Sequence, residues 1–256
     1  MRGLKVEGRN KVGKVIVTTS WDDGHPLDLK LASLLTKYRL QGTFYIPTRF
    51  PYFNVIDDCD LRRLSEKFEI GAHTLSHVKL TSISISEAKR EIVSNKKMLE
   101  EIIGKKVKMF AYPQGRYNEE VINLVKILDF YGARTVEDFK INLSDPFRMG
   151  VTLQVRPYGR KELIKKLLEV ENLRMKLFLL RHLPIFLNSW EDLAFSLFDY
   201  VYRNGGIFHI WGHSWEIDKF KMWDSLEFFL SYISGKRDVA YLCNGAVIEN
   251  MCRIMR

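Results

Sequence analysis

Two adjacent carboxylates, Asp22 and Asp23, follow the β-branched run Val15 to Ser20 and precede Gly24 and His25. In an extended segment, successive side chains point to opposite sides. The pair can therefore divide its work, one carboxylate coordinating a metal and the other staying free as a base. Gly24 permits a tight turn after them, although Asp-Asp-Gly alone is equally the material of a turn or helix cap. His73 and His77 are four apart, which on a helical turn sets both imidazoles on one face within reach of one ion. Asp23 with these two histidines makes a set suited to Zn²⁺, Fe²⁺, Co²⁺ or Mn²⁺ with positions left open for water. Tyr112-Pro113-Gln114-Gly115 reads as an irregular loop whose backbone N–H groups could stabilise an oxyanion. In His209-Ile210-Trp211-Gly212-His213, His209 and Trp211 share a strand face and His213 falls just past the end. Of the 6 histidines, His25, His73, His77 and His213 fall at or just past expected strand ends. His182 and His209 read as structural.

Such residues need elements that bring them together. The pattern alternates short β-rich runs with helical spacing. Strands are expected at Val15 to Ser20, Thr43 to Ile46, Phe68 to Ala72, Val107 to Tyr112, Gly132 to Val136, Val151 to Arg156, Ile207 to Trp211 and Val239 to Cys243. Helices are expected at Asp28 to Tyr38, Asp60 to Lys67, Glu119 to Leu128, Lys161 to His182, Trp190 to Arg203 and Asp224 to Ile233, with a helical tail. The capping box Ser84-x-x-Glu87 starts another that runs to Gly104. This alternation predicts a parallel α/β sheet, open or closed into a barrel. Chemistry in such folds sits at the carboxyl ends of the strands, where the candidate residues fall.

Composition narrows the class. The chain has 256 residues, 46% apolar and 28% charged, which excludes disordered, collagen-like and coiled-coil classes. Three cysteines, Cys59, Cys243 and Cys252, with no CxxC pair, argue against a disulfide scaffold or a thiolate zinc site. The net charge of +9 comes from scattered basic residues without a run of five, so a solvated basic surface is expected and a nucleic-acid partner is not. No signal peptide and no transmembrane stretch is read, and a cytoplasmic location is the expectation.

The ordered set Thr19-Ser20-Trp21-Asp22-Asp23-Gly24, His73-Thr74-Leu75-Ser76-His77, Phe110-Ala111-Tyr112-Pro113-Gln114-Gly115 and Trp211-Gly212-His213 resembles the polysaccharide deacetylase family, the NodB-homology group of carbohydrate esterases. The resemblance spans residues 19 to 213. It implies a distorted (β/α) barrel of seven to eight strands, here one catalytic domain over 1–256 with a helical insertion around 163–202. It implies Asp22 as general base, Asp23, His73 and His77 as ligands of one divalent ion, and His213 as general acid. Zinc is the first expectation for the ion, with cobalt, manganese, iron and nickel also suited. His209 competes for the acid role, and His213 is preferred because it falls after the strand. Trp211 would wall the acyl pocket, and Tyr112, Pro113 and His25 would line the substrate. The Gln114 backbone N–H would serve the oxyanion.

Two departures from the family pattern matter. Ala111 stands where the family often has an arginine that pairs with the catalytic Asp, and Arg134, on another strand, could supply that charge. The family's Asp that orients the acid histidine has no clear counterpart, with Asp138 and Asp145 as candidates. The expected activity is metal-assisted hydrolysis of an N-acyl group, acetyl first, on an amino sugar or related carbohydrate. Other readings are a deformylase or another amide hydrolase on the same scaffold, and an inactive carbohydrate-binding protein.

Overall fold

A computed structural model describes residues 15–186 and 189–254. The β-branched run forms β1 (Val15–Asp22), buried along almost its whole length, and every other element is arranged about it. β1 pairs in parallel with β7 (Gly206–Gly212) along seven residues, from Val15 opposite Gly206 to Trp21 opposite Gly212. On its other edge it pairs with β8 (Val239–Tyr241) through Val15 to Val17 and with β2 (Thr43–Ile46) through Ser20 to Asp22. β3 (Glu69–Ala72), β4 (Met109–Ala111), β5 (Gly132–Arg134) and β6 (Leu153–Gln154) complete the order β5-β4-β3-β2-β1-β7-β6, with β8 on β1. All pairings among these strands are parallel. The stretch 149–154 joins the two ends of the sheet: Met149 bridges Arg134 of β5, and Leu153 and Gln154 pair with Ile210 and Trp211 of β7. The strands thus curl into a distorted barrel, as the sequence leads one to expect.

Parallel neighbours require crossovers, supplied by α1 (Asp28–Lys37), α2 (Asp58–Lys67), α3 (Ile85–Ile103), α4 (Glu119–Ile127), α5 (Arg160–Leu168), α6 (Leu173–Phe186), α7 (Trp190–Asn204), α8 (Ser214–Lys219) and α9 (Trp223–Ile233), while α10 (Asn244–Ile254) follows the last strand. Their starts follow capping chemistry. Asp57, Asn118 and Ser189 each accept a backbone N–H of the first turn. Ser84 and Glu87 form the expected capping box, and α3 stops at Gly104 in the left-handed region, φ 67°. The single helix expected over Lys161 to His182 is two, because Asn172 caps α6 by accepting from the Met175 N–H at 3.0 Å. α8, with six residues, is less than two turns, so periodicity cannot reveal it.

Leu31, Leu35, Ile92, Leu197 and Phe229 of the helices and Phe44, Phe110 and Phe208 of the strands, all fully buried, belong to one core. Truncating one of the aromatics, such as Phe208→Ala, costs about 3–5 kcal/mol. Polar bonds tie α10 to the amino-terminal end of the barrel. Asn244 accepts from the Thr18 hydroxyl (2.8 Å), donates to the Tyr45 hydroxyl (2.9 Å), and its backbone N–H donates to Thr43 Oγ1 (2.9 Å). Gly245 N–H donates to Glu69 at 2.9 Å. With that end covered, chemistry is left to the carboxyl end.

Candidate active site

β1 ends at Asp22, and the next residue turns into the left-handed region: Asp23 has φ 78° and Gly24 φ 64°. The Asp23 N–H is pinned to the Tyr45 carbonyl at 3.1 Å. This turn corrects the expectation that the two carboxylates face opposite sides. Asp22 Oδ2 and Asp23 Oδ1 lie 3.9 Å and 3.7 Å from the same atom, His73 Nε2.

His73 and His77 do not share a helical turn. The chain past β3 is irregular, with Thr74 at φ 67° and His77 at φ 54°. Glu91 of α3 holds the loop by accepting from the Ser76 N–H and hydroxyl, both at 2.9 Å. The result still brings the imidazoles together, with ring centroids 4.8 Å apart and His77 Nε2 3.3 Å from Asp23 Oδ1. Left-handed backbone at non-glycine residues costs of order 1–3 kcal/mol each and persists only where the surroundings impose it. Three such residues, Asp23, Thr74 and His77, meet here.

The ligand atoms of Asp23, His73 and His77 lie within 4.8 Å of one another. They fit a divalent cation. Asp23 Oδ1 is buried and accepts no hydrogen bond among the described residues. The His73 Nδ1–H donates to the Ala111 carbonyl at 2.9 Å, since a carbonyl can only accept, and this leaves the Nε2 lone pair free toward the carboxylates. Burial drives the His73 imidazole down to about 3 and lowers His77 as well, so both are neutral, as ligation requires. Trp215 of α8 donates to Asp23 Oδ2 at 3.1 Å, the kind of outer contact that orients a ligand carboxylate.

Asp22 has a different partner. Arg134, wholly buried on β5, donates to Asp22 Oδ2. Its guanidinium carbon lies 5.2 Å from the Tyr45 ring centroid and 4.8 Å from that of Trp211, so two aromatic faces hold it. Burial alone would raise the Asp22 carboxyl. The Arg134 charge, helped by His73 and His213, outweighs this and holds it below the usual range. Burial and the Asp22 charge instead raise Asp23, against the pull of His213 and His77. Asp22 Oδ1 remains buried without a partner among the described residues.

His213 ends β7 and precedes α8, with Nε2 3.7 Å from Asp23 Oδ2. Its Nδ1–H donates to Glu216 Oε2 at 2.6 Å. Burial would lower this imidazole, but Glu216, Asp23 and Asp22 together raise it. Glu216 also accepts from Gln154 at 3.2 Å. Glu216, and neither of the two expected carboxylates Asp138 and Asp145, is the acidic neighbour of His213 Nδ1. Those two are engaged elsewhere: Asp138 accepts from Lys166, and Asp145 caps the turn at Pro146–Arg148. His209 is enclosed, with Nε2 2.9 Å from Ser20 Oγ and Nδ1 3.2 Å from the Gly150 carbonyl, and stays away from the cluster.

The remaining expected residues divide. Trp211 stands against His213 with ring centroids 5.4 Å apart. His25 accepts the Leu27 N–H at 3.1 Å and packs edge-on to Phe53. Gln114 turns into the left-handed region, φ 54°, with its side chain exposed. Tyr112, expected to line the substrate, has its ring buried and its hydroxyl donating to the Phe147 carbonyl at 3.0 Å. Pro113 is buried too. Sequence reasoning missed Glu216, Trp215, Glu91 and Ser214, whose hydroxyl donates to buried Asp28 at 2.5 Å.

The family model for polysaccharide deacetylases matches residues 9–133, which include Asp22, Asp23, His73, His77 and Arg116 of the loop beyond β4. Over these residues, just under half of the chain, it is similar to the polysaccharide deacetylase family. Among curated proteins it is similar to the peptidoglycan-N-acetylmuramic acid deacetylase PdaC of Bacillus subtilis, 30% identical over 116 residues, 44% of this chain and 24% of that protein. It is also similar to B. subtilis YxkH, 23% identical over 130 residues, 50% of this chain and 47% of that one. The chain thus spans less than half the length of these relatives. Its fold is shared with a family 4 acetyl xylan esterase of Clostridium thermocellum, solved with a cobalt ion, at TM-score 0.59 and 16% identity over 92% of this chain and 91% of that one. A Mycobacterium smegmatis structure, assigned provisionally as a polysaccharide deacetylase, superposes at TM-score 0.63 with 13% identity over 97% and 93%.

Proposed function

We propose that this chain hydrolyses an N-acyl group, acetyl or formyl, from an amino sugar or related carbohydrate. The observation that carries the reading is the meeting, at one strand-end site, of three features: the Asp23, His73 and His77 ligand set, a carboxylate held ionised by a buried arginine, and a histidine whose protonated form a neighbouring glutamate favours. A non-catalytic binder needs none of that proton-handling apparatus.

Asp23, His73 and His77 would hold one divalent ion, zinc first among those suited to imidazole and carboxylate. When bound, such an ion supplies Lewis acidity, polarising the acyl carbonyl and acidifying a water. Asp22 accepts the water's proton at Oδ1, because Oδ2 is committed to Arg134. Arg134 keeps Asp22 ionised and fixes its orientation. His213, with Nδ1 held by Glu216, presents Nε2 to the leaving amine and delivers the proton that expels it. The Gln114 N–H stands at the loop that would face the developing oxyanion. Trp211, stacked on Arg134 and standing against His213, gives the acyl side an apolar wall that favours a small group.

The test is elemental analysis of the wild type and of His73→Ala/His77→Ala, followed by amine release from N-acetyl and N-formyl sugars. About one transition metal per chain, lost in the double variant together with amine release, is the expected result. A chain that takes up no Zn²⁺, Co²⁺ or Mn²⁺, or that releases amine equally well without the two histidines, overturns the proposal.

A further inference from the structure

The helices inserted between β6 and β7 carry apolar side chains on two faces. Inward, Leu163, Leu167, Met175 and Leu179 are buried. Outward, Leu173, Leu177 and Leu180 of α6 are 66%, 59% and 41% exposed, beside Ile164 and Leu168 of α5 at 43% and 60%. At 100° per residue, Leu173, Leu177 and Leu180 fall within one narrow stripe on the solvent side of α6. Arg174 and Arg181 lie along one flank of that stripe and Lys176 along the other. On α5, Lys161 and Lys165 lie beside Ile164 and Leu168. α6 contains no acidic residue, and residues 160–186 hold seven Lys or Arg against three Glu.

Two of those glutamates are occupied, Glu162 by Arg156 and Glu171 by Lys140. Lys161, Lys165, Arg174 and Arg181 make no ion pair among the described residues, and all four are exposed. An apolar stripe of this kind, rimmed by unpaired cations, is what a helix lying in a membrane interface presents. The leucines enter the acyl boundary while the long basic side chains reach up to the headgroups. The charge also selects the lipid, because cations at the surface attract anionic headgroups and leave zwitterionic ones indifferent. The patch is rooted at the site end of the barrel. α5 follows directly from β6, whose Gln154 bonds Glu216, while Arg156 bonds both Gln154 and Glu162 of α5.

We propose that the α5–α6 face is a docking surface for an anionic lipid bilayer. The inference stands apart from the deacetylase reading, since it concerns binding and is tested by binding.

The test is co-sedimentation with vesicles of phosphatidylcholine alone and of phosphatidylcholine mixed with phosphatidylglycerol, at low and high salt. Binding to the mixed vesicles, weakened by salt and at least tenfold above that to phosphatidylcholine, is expected. Arg174→Gln/Arg181→Gln should lower the partition coefficient about 25-fold, at about fivefold per charge. Leu173→Gln/Leu177→Gln/Leu180→Gln should lower it at least about a hundredfold, at about fivefold or more per leucine. Because these side chains are exposed, thermal melting of both variants should match the wild type, and it shows that lost binding is not lost folding. Absence of wild-type binding, or binding unchanged in either variant, overturns the proposal. So does a wild-type dimer that the leucine variant dissolves while vesicles remain unbound, for then the stripe faces a second copy of the chain.

Discussion

Replacing Arg134 by leucine removes the positive member of a pair in which both side chains are almost fully buried, at 0% and 4% exposure. Loss of one partner of a buried pair costs about 3–5 kcal/mol, because the survivor is an uncompensated charge. At about 2–4 °C per kcal/mol for a chain of this size, the melting temperature should fall by roughly 10 °C at neutral pH. The pH dependence separates this cause from mere loss of packing. In the wild type the Asp22 carboxyl is held below its ordinary value of 3.8. Its contribution is therefore present above that value and fades as pH falls through the lower folded one. In Arg134→Leu, burial acts with less opposition and moves the carboxyl upward, so the variant loses stability as pH climbs above 4. The gap between the two proteins should be wide at pH 7 and narrow toward pH 4. Thermal unfolding of both, in chelator so that no ion compensates, measures it. Adding Asp22→Asn to the variant should recover most of the loss. A gap that does not change with pH, combined with no recovery in the double variant, would refute the reasoning.

Further expectations concern the outer contacts of the site. Trp215→Phe removes the N–H that holds Asp23 Oδ2 and should weaken zinc affinity about 10–100-fold by competition titration; unchanged affinity would show that the contact is incidental. Glu216→Gln removes the largest influence raising His213. A group that must be protonated to act then deprotonates earlier, so the high-pH limb of the kcat/KM profile should move to lower pH, and a profile that stays in place would separate Glu216 from the acid. Asp28, buried beside Ser214, has its carboxyl raised well above the ordinary value by burial. A raised carboxyl subtracts stability as pH rises above the unfolded value of 3.8, so Asp28→Asn should gain on the wild type in melting temperature between pH 5 and 8. A constant difference would count against it.

The strand-end residues were legible because their neighbours are extreme in type: a β-branched run before Asp22, a small apolar run before His73, Gly205-Gly206 before β7. What the sequence hid is conformational. Nothing in the letters of Asp23, Thr74 or His77 announces positive φ, since non-glycine residues enter that region only when tertiary contacts force them, as the Tyr45 carbonyl and Glu91 do here. The helical turn inferred from H-x-x-x-H was therefore the wrong geometry for a correct proximity. Glu216 was overlooked because α8 is too short to show a period, although it lies three positions after His213, a spacing that joins side chains in a first turn. Arg134 could be singled out only because the usual position held Ala111; that it lies between two aromatic rings is a matter of packing across β2, β5 and β7. The burial of the Tyr112 ring was hidden too, since its place in the motif says nothing about which way the ring turns.

The pairing of β1 has a consequence for how the chain is made. Val15 is matched with Val239 and Gly206, so the central strand waits for partners near the far end of the polypeptide. Synthesis at about 5–20 residues per second imposes a delay of about 10–45 s. During that interval an apolar strand, already complete, has one edge and part of the other unfilled. Unpaired strand edges of this composition recruit other chains, so yield during expression should depend on growth temperature and on chaperone supply. The same delay applies to the site, because the carboxylates on β1 emerge long before His213 joins them.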